Sequence, residues 1–306
     1  MATSAFLMSD KEILNVFPKE NFYVVFGTSH TAGWCERNNE RIMSREHNWC
    51  SQLSKKLGKP VFNLALGGNT PDIMLEMVSE FAYYYNKQNV KCLGAIIEAR
   101  AADHSVFFDD GEFIKTRELK DKHFEIASHH AITLGRDYIT KNTTSNFYNI
   151  CNIARQLNGP VATKYKDLTN DQLKWVQKTV EHTMVGAYIH FNCLNKLLRM
   201  TQILHAVNIP NYCFYWESEK VEGLNDHETY NMQKLYYSTV NAYSHRGLNF
   251  INWQKDKPLN KNSFHMLTEI ERRNGIKFLN QNECACQHHN EKVSAEAAQI
   301  LYEELQ

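Results

Sequence analysis

The sequence predicts an α/β domain built on a parallel sheet with helices on both faces. Three observations predict it. Apolar runs of strand length recur at 22–26, 61–64, 93–98, 211–216 and 249–253. Segments of helical period lie between them. Polar or glycine residues then gather just past several of the apolar runs, at the carboxyl ends where open α/β sheets bind ligands. With 306 residues, 43% of them hydrophobic, the chain can bury one large core, as one domain or one domain with an insertion.

In chain order, residues 9–18 read as a short helix ending before Pro18, and Phe22–Phe26 as a buried first strand. Trp49, Leu53 and Leu57 fall at helical spacing in 45–57, and Gly58 stops that helix. Val61–Leu64 is the second strand. A helix follows from about Pro71, with Pro in its first turn and Ile73, Met77 and Phe81 on one face. Leu93–Glu98 is the third strand. Residues 104–167 are polar, aromatic and turn-rich without a clean period, and read as an inserted, mostly helical or irregular segment. The stretch 168–207 is strongly helical, capped by Thr169 or Asn170, with a bend expected near Gly186. Asn211–Trp216 is the fourth strand, 228–244 a helix, Asn249–Trp253 the fifth strand, 263–273 a helix, and Ser294–Leu305 the last helix. The architecture expected is one domain over 1–306, a three-layer α/β/α fold with a flavodoxin-like parallel sheet of about five strands.

Composition narrows the function classes. Lys+Arg and Asp+Glu both number 34, so the formal net charge is zero and no nucleic-acid partner is expected. Apolar runs are too short to span a bilayer, and the first ten residues lack the basic-then-apolar plan of a signal peptide. No membrane partner is expected, and a cytoplasmic location is. The eight cysteines are scattered, which reads as reduced thiols. Asn142-Thr-Thr matches a glycosylation sequon that carries little without secretion.

The chemistry gathers around Phe26-Gly-Thr-Ser-His-Thr-Ala-Gly33. A strand that ends at Gly27 delivers Ser29 to the sheet's carboxyl edge as a candidate nucleophile. The plainer reading is that Thr28 and Ser29 cap the next helix. Further polar groups follow the second strand (Asn63-Leu-Ala-Leu-Gly-Gly-Asn69), the third (Glu98-Ala-Arg-Ala-Ala-Asp103) and the loop before the last helix (Cys284-Ala-Cys-Gln-His-His-Asn-Glu-Lys-Val293).

That succession resembles the SGNH, or GDSL, hydrolase superfamily, whose enzymes carry serine, glycine, asparagine and histidine at such places. The resemblance implies Ser29 as nucleophile and one oxyanion donor, Gly68 as a second donor, and His288 as general base, with His289 competing by one position. Three family features are absent. Thr28 stands where the first block has Asp, and Arg100-Ala-Ala-Asp103 replaces Gly-x-Asn-Asp, which leaves Ala102 in place of the side-chain donor. Ala285 stands where an acid would lie three residues before His288. A serine hydroxyl needs a base within reach, and losing one oxyanion donor costs on the order of 100- to 1000-fold in rate. Arg100 can supply a replacement donor or bind an anionic ligand, unless it pairs with Glu98 or Asp103. Glu98 and Asp103 are the replacement acids open to the base. Asn69, Asp103 and Trp216 are expected to bind substrate, though core packing is the plainer reading of Trp216.

The expected activity is an SGNH-type esterase on a small-molecule or carbohydrate ester, working through a Ser–His dyad without cofactor. The other expectation is a non-catalytic module of the same fold in a viral particle or other assembly, which would place the chain in a virion. Assembly as a homo-oligomer belongs to either. A third reading takes Cys284, Cys286, His288 and His289 as metal ligands, but Cys-x-Cys is poor spacing for one tetrahedral ion, and no metal is expected. His129-His130 reads as surface loop, and Phe107–Phe113 as a small core of the insertion.

Overall fold

The computed structural model describes residues 14–15, 17–32, 34–37, 40–43, 48–65, 71–99, 106–107, 132–133, 186–216, 238–253, 255, 265–275, 289 and 291–306. Its sheet is parallel. β1 (Phe22–Phe26) lies between β4 (Val61–Asn63) and β5 (Cys92–Ala99), and β8 (Asn211–Tyr215) pairs with the far side of β5. Taken in chain order, these four parallel strands stand second, first, third, fourth, which is the flavodoxin-like order. The fifth expected strand is reduced to one parallel bridge, Cys213 to Phe250, flanked by Cys213 N–H to the Asn249 carbonyl and Ile251 N–H to the Cys213 carbonyl, both 2.8 Å.

Period-two alternation assigns each strand residue to a layer. Phe22, Val24 and Phe26 of β1, with Ala95 and Ile97 of β5, face one cluster; Val25 and Ile96 face the other. The first cluster is closed by α3 (Pro71–Tyr85), α4 (Gly186–Ala206) and the helical residues 238–245. The second is closed by α2 (Trp49–Leu57), α5 (Met266–Asn274) and α6 (Glu291–Glu304). The result is the three-layer α/β/α architecture. Within α3 the core face is Met74, Val78, Phe81 and Ala82, with Met77 half-buried at its edge, one residue on from the expected stripe.

Helix ends follow local chemistry. Asn48 caps α2, its Oδ1 accepting from Ser51 N–H at 2.8 Å. Gly58 and Gly275 close α2 and α5 in the left-handed region, which L side chains rarely adopt. Asn208 does the same after α4, at φ 59°. α5 and α6 are tied through Glu269, buried and accepting from Arg272 and Arg273, while Arg273 also pairs with Glu303. Burial alone would push the Glu269 carboxyl up, but the two guanidiniums hold it below the usual carboxylate range.

Two hairpin-like pairs complete the described backbone. β2 (Trp34–Arg37) and β3 (Glu40–Met43) pair antiparallel directly after the short helix α1 (Ser29–Ala32), a feature the apolar pattern does not announce. β6 (Val106–Phe107) and β7 (Ile132–Thr133) pair antiparallel and are the described part of 104–167, the stretch that the sequence reads as an insertion. The rest of 104–167, the stretch 168–185 and residues 9–13 and 16 of the expected first helix lie outside the described residues. Among the described residues no helix is long and apolar enough to cross a membrane.

Candidate active site

The strand order reverses direction between β1 and β5, and in such sheets the crevice at the carboxyl ends of those two strands is the ligand site. The chain fills this position with polar groups. β1 runs through Gly27 and Thr28 into α1, whose first residue is Ser29; Ala32 N–H donates to the Thr28 carbonyl at 2.8 Å, so Thr28 stands at the helix cap. The Thr28 hydroxyl is not spent on the helix. It donates to Glu98 Oε1 at 2.5 Å, and Thr28 N–H donates to Glu98 Oε2 at 2.8 Å. Both residues are buried, Glu98 only 1% exposed.

Gly27 is not needed for a left-handed φ. It is needed for space. A Cβ there would lie 2.5 Å from Glu98 Oε2 and 2.7 Å from Thr31 Cβ. The glycine that the sequence marks as a break is a slot for a carboxylate.

The other end of α1 is held as firmly. The Thr31 carbonyl accepts from Asn63 Nδ2 at 2.8 Å and from Asn48 Nδ2 at 3.4 Å, and Thr31 Oγ1 accepts from Trp49 Nε1 at 3.2 Å. Asn63 also accepts from Ala65 N–H at 3.0 Å, fixing the start of the loop after β4. Cys50 packs against the same carbonyl, with its thiol pushed well up by burial and by the Glu98 charge. A four-residue turn is therefore pinned by β4, β5 and the start of α2 at once.

His289, two residues before α6, reaches this edge from the far end of the chain. The His289 ring lies 4.4 Å from the His30 ring, centroid to centroid, at 31° between planes, and 4.6 Å from the Trp216 ring. Trp216 follows β8, is 5% exposed, and its indole N–H has no hydrogen-bond partner among the described residues. Leu267 N–H donates to the Trp216 carbonyl at 3.0 Å, so the start of α5 closes the same edge.

Of the residues expected from the sequence, the backbone of Ser29 and the whole of Trp216 are described at this edge, together with His289. His288, Gly68, Asn69, Arg100, Asp103, Cys284, Cys286 and His129-His130 lie outside the described residues. Glu98, one of two acids open to the base, has both oxygens engaged by Thr28. His30 was not singled out in the sequence, although its place directly after Ser29 was the available signal. Among the described residues no group of three or more His, Cys, Asp or Glu could hold a metal ion.

No protein-family model and no curated protein matches the chain. Solved structures do. A psychrotrophic esterase from Pseudoalteromonas sp. is 10% identical, covering 93% of this chain and 96% of its own, with a TM-score of 0.43. A GDSL-like lipase from Bacteroides thetaiotaomicron is 11% identical, with 96% and 94% covered and a TM-score of 0.44. A carbohydrate esterase family 2 enzyme plus carbohydrate-binding domain from Corynascus thermopiles (Myceliophthora fergusii) is 10% identical, with 94% and 66% covered and a TM-score of 0.43. In the solved structures named here, this chain is similar to esterases and a GDSL-like lipase.

Proposed function

We propose that the chain is a serine acyl-hydrolase of the SGNH type, acting on small esters at the carboxyl edge of β1 and β5. The observation that carries this reading is the ring contact between His289 and His30. An imidazole some 260 positions along the chain meets the residue next to Ser29. In the reaction, Ser29 Oγ attacks the ester carbonyl while a histidine of the 288–289 pair takes its proton. The ring contact favours His289 over His288. The tetrahedral oxyanion is held by the N–H groups of Ser29 and Gly68, with Arg100 as third donor. The protonated imidazole then gives its proton to the leaving alcohol. Water, activated by the same base, hydrolyses the acyl-enzyme and restores Ser29. Short-chain and carbohydrate O-acetyl esters are the substrate class, by analogy with the family alone.

Labelling with a fluorophosphonate probe tests this. Wild type is expected to label, and Ser29→Ala to abolish the label. Of His288→Ala and His289→Ala, the second is expected to lose it. A folded wild-type protein that takes no label would turn the reading to the non-catalytic module.

A further inference from the structure

We infer that Glu98 is the positioning residue of the nucleophile turn, acting on Ser29 through Thr28; this rests on the acyl-hydrolase reading and names what holds its geometry. A carboxylate at the end of a central parallel strand is an unfavourable thing to bury unless hydrogen bonds offset its lost hydration. Glu98 is 1% exposed and takes two donors from one residue, the Thr28 N–H and the Thr28 hydroxyl. Such a two-point grip fixes orientation as well as distance, because moving either atom breaks one bond.

The gripped residue immediately precedes Ser29, and its carbonyl starts the helical turn that Ser29 opens. Gly27 leaves room for the carboxylate where any side chain would collide with it. The three residues Gly27, Thr28 and Glu98 therefore form one device. A glycine opens the space, the acid enters from the neighbouring strand, and the threonine receives it with both of its donors. Asn63 pins the other end of the turn at the Thr31 carbonyl, so loosening Glu98 frees the Ser29 end while the far end stays held.

Reactive groups misplaced by about 1 Å can lose about 100-fold in rate. The test is the kinetics of fluorophosphonate labelling at Ser29, split into the maximal inactivation rate and the half-saturating probe concentration, with thermal melting on every variant. Glu98→Met and Thr28→Val each remove grip at nearly constant volume. Both are expected to lower the maximal rate about 10- to 100-fold with little change in half-saturation. Glu98→Gln is expected to stay near wild type. Its carbonyl accepts the Thr28 N–H, and its amide donates to the Thr28 oxygen. Thr28→Ser keeps both donors and is expected to do the same.

Folded Glu98→Met and Thr28→Val proteins that label at the wild-type rate would overturn the positioning role. So would rates that simply follow melting temperature across all four variants. If Glu98→Met fails to fold, Thr28→Val carries the test alone, since it deletes one hydroxyl. A folded wild type that never labels sinks the acyl-hydrolase reading, and this role with it. That outcome is distinct from wild type labelling while the variants keep pace.

Discussion

The two ends of β1 are both buried and are held by opposite means. At the amino end, Phe22 packs edge-on against Phe17, Phe62 and Phe81, with ring centroids 6.2 to 6.4 Å apart. At the carboxyl end, Thr28 and Thr31 are held by hydrogen bonds from β4, β5 and α2. Dispersion and the hydrophobic effect have little directionality, so the aromatic end accepts other shapes of similar volume. Hydrogen bonds between buried groups are directional, and a partner left alone costs more than the bond contributed. The apolar end supplies stability, and the polar end supplies one geometry. Only the second holds the residue that follows it in one place.

That contrast can be broken by substitution, and the aromatic end should show the largest loss of stability. Phe22→Ala removes a fully buried ring and is expected to destabilise by about 3–5 kcal/mol in denaturant unfolding, while Phe22→Leu loses much less. If Phe22→Leu were as damaging as Phe22→Ala, the aromatic end would be specified as tightly as the polar one.

At the carboxyl end the expected order reverses, because adding one methyl is enough to do harm. Gly27→Ala drives a Cβ into the Glu98 carboxylate and Thr31, and about 1–3 kcal/mol of destabilisation is expected. Probe labelling should fall further than that loss explains. Equal stability for Gly27→Ala and wild type would show that the carboxylate can move aside.

The smallest expected effect sharpens the contrast between two acids. Glu98 is gripped by Thr28, whereas Glu80 sits half-buried on α3 with Glu76 one turn away. Burial, with the Glu76 charge adding to it, pushes the Glu80 carboxyl up to about 7. An acid whose folded value is raised stays protonated while the unfolded chain has already lost its proton. Its presence therefore lowers stability as pH rises from the ordinary carboxylate range towards 7. Glu80→Gln should melt with wild type at low pH and a few degrees above it by pH 8. A gap that does not grow with pH would show that Glu80 is well solvated.

Much of the fold was legible because its signals are local. Phe22–Phe26 has the same bounds in sequence and structure, since a run of five apolar residues between Asn21 and Gly27 is too short for a helix and suits a buried strand. Gly58 and Pro71 mark helix limits through backbone constraints that act within a residue or two. The fifth strand was overstated because an apolar run reports burial and not pairing; Phe250 and Ile251 are buried, yet a single bridge joins that segment to β8. The β2–β3 pair was missed because Trp34–Arg37 and Glu40–Met43 carry no clean alternation.

The candidate site divides along the same line. A serine after the first strand and a histidine pair before the last helix are legible along the chain, since order is all that such a pattern needs. Which groups meet is set by the folded arrangement. Parallel pairing set Phe26 beside Ile97, and that register brings Glu98 to Thr28. The packing of α6 on α2 carries His289, two residues before α6, to the same edge, where it meets His30 and Trp216. Strand register and helix packing are long-range choices, settled by burying apolar faces across the whole sheet, and no stretch of sequence contains them alone.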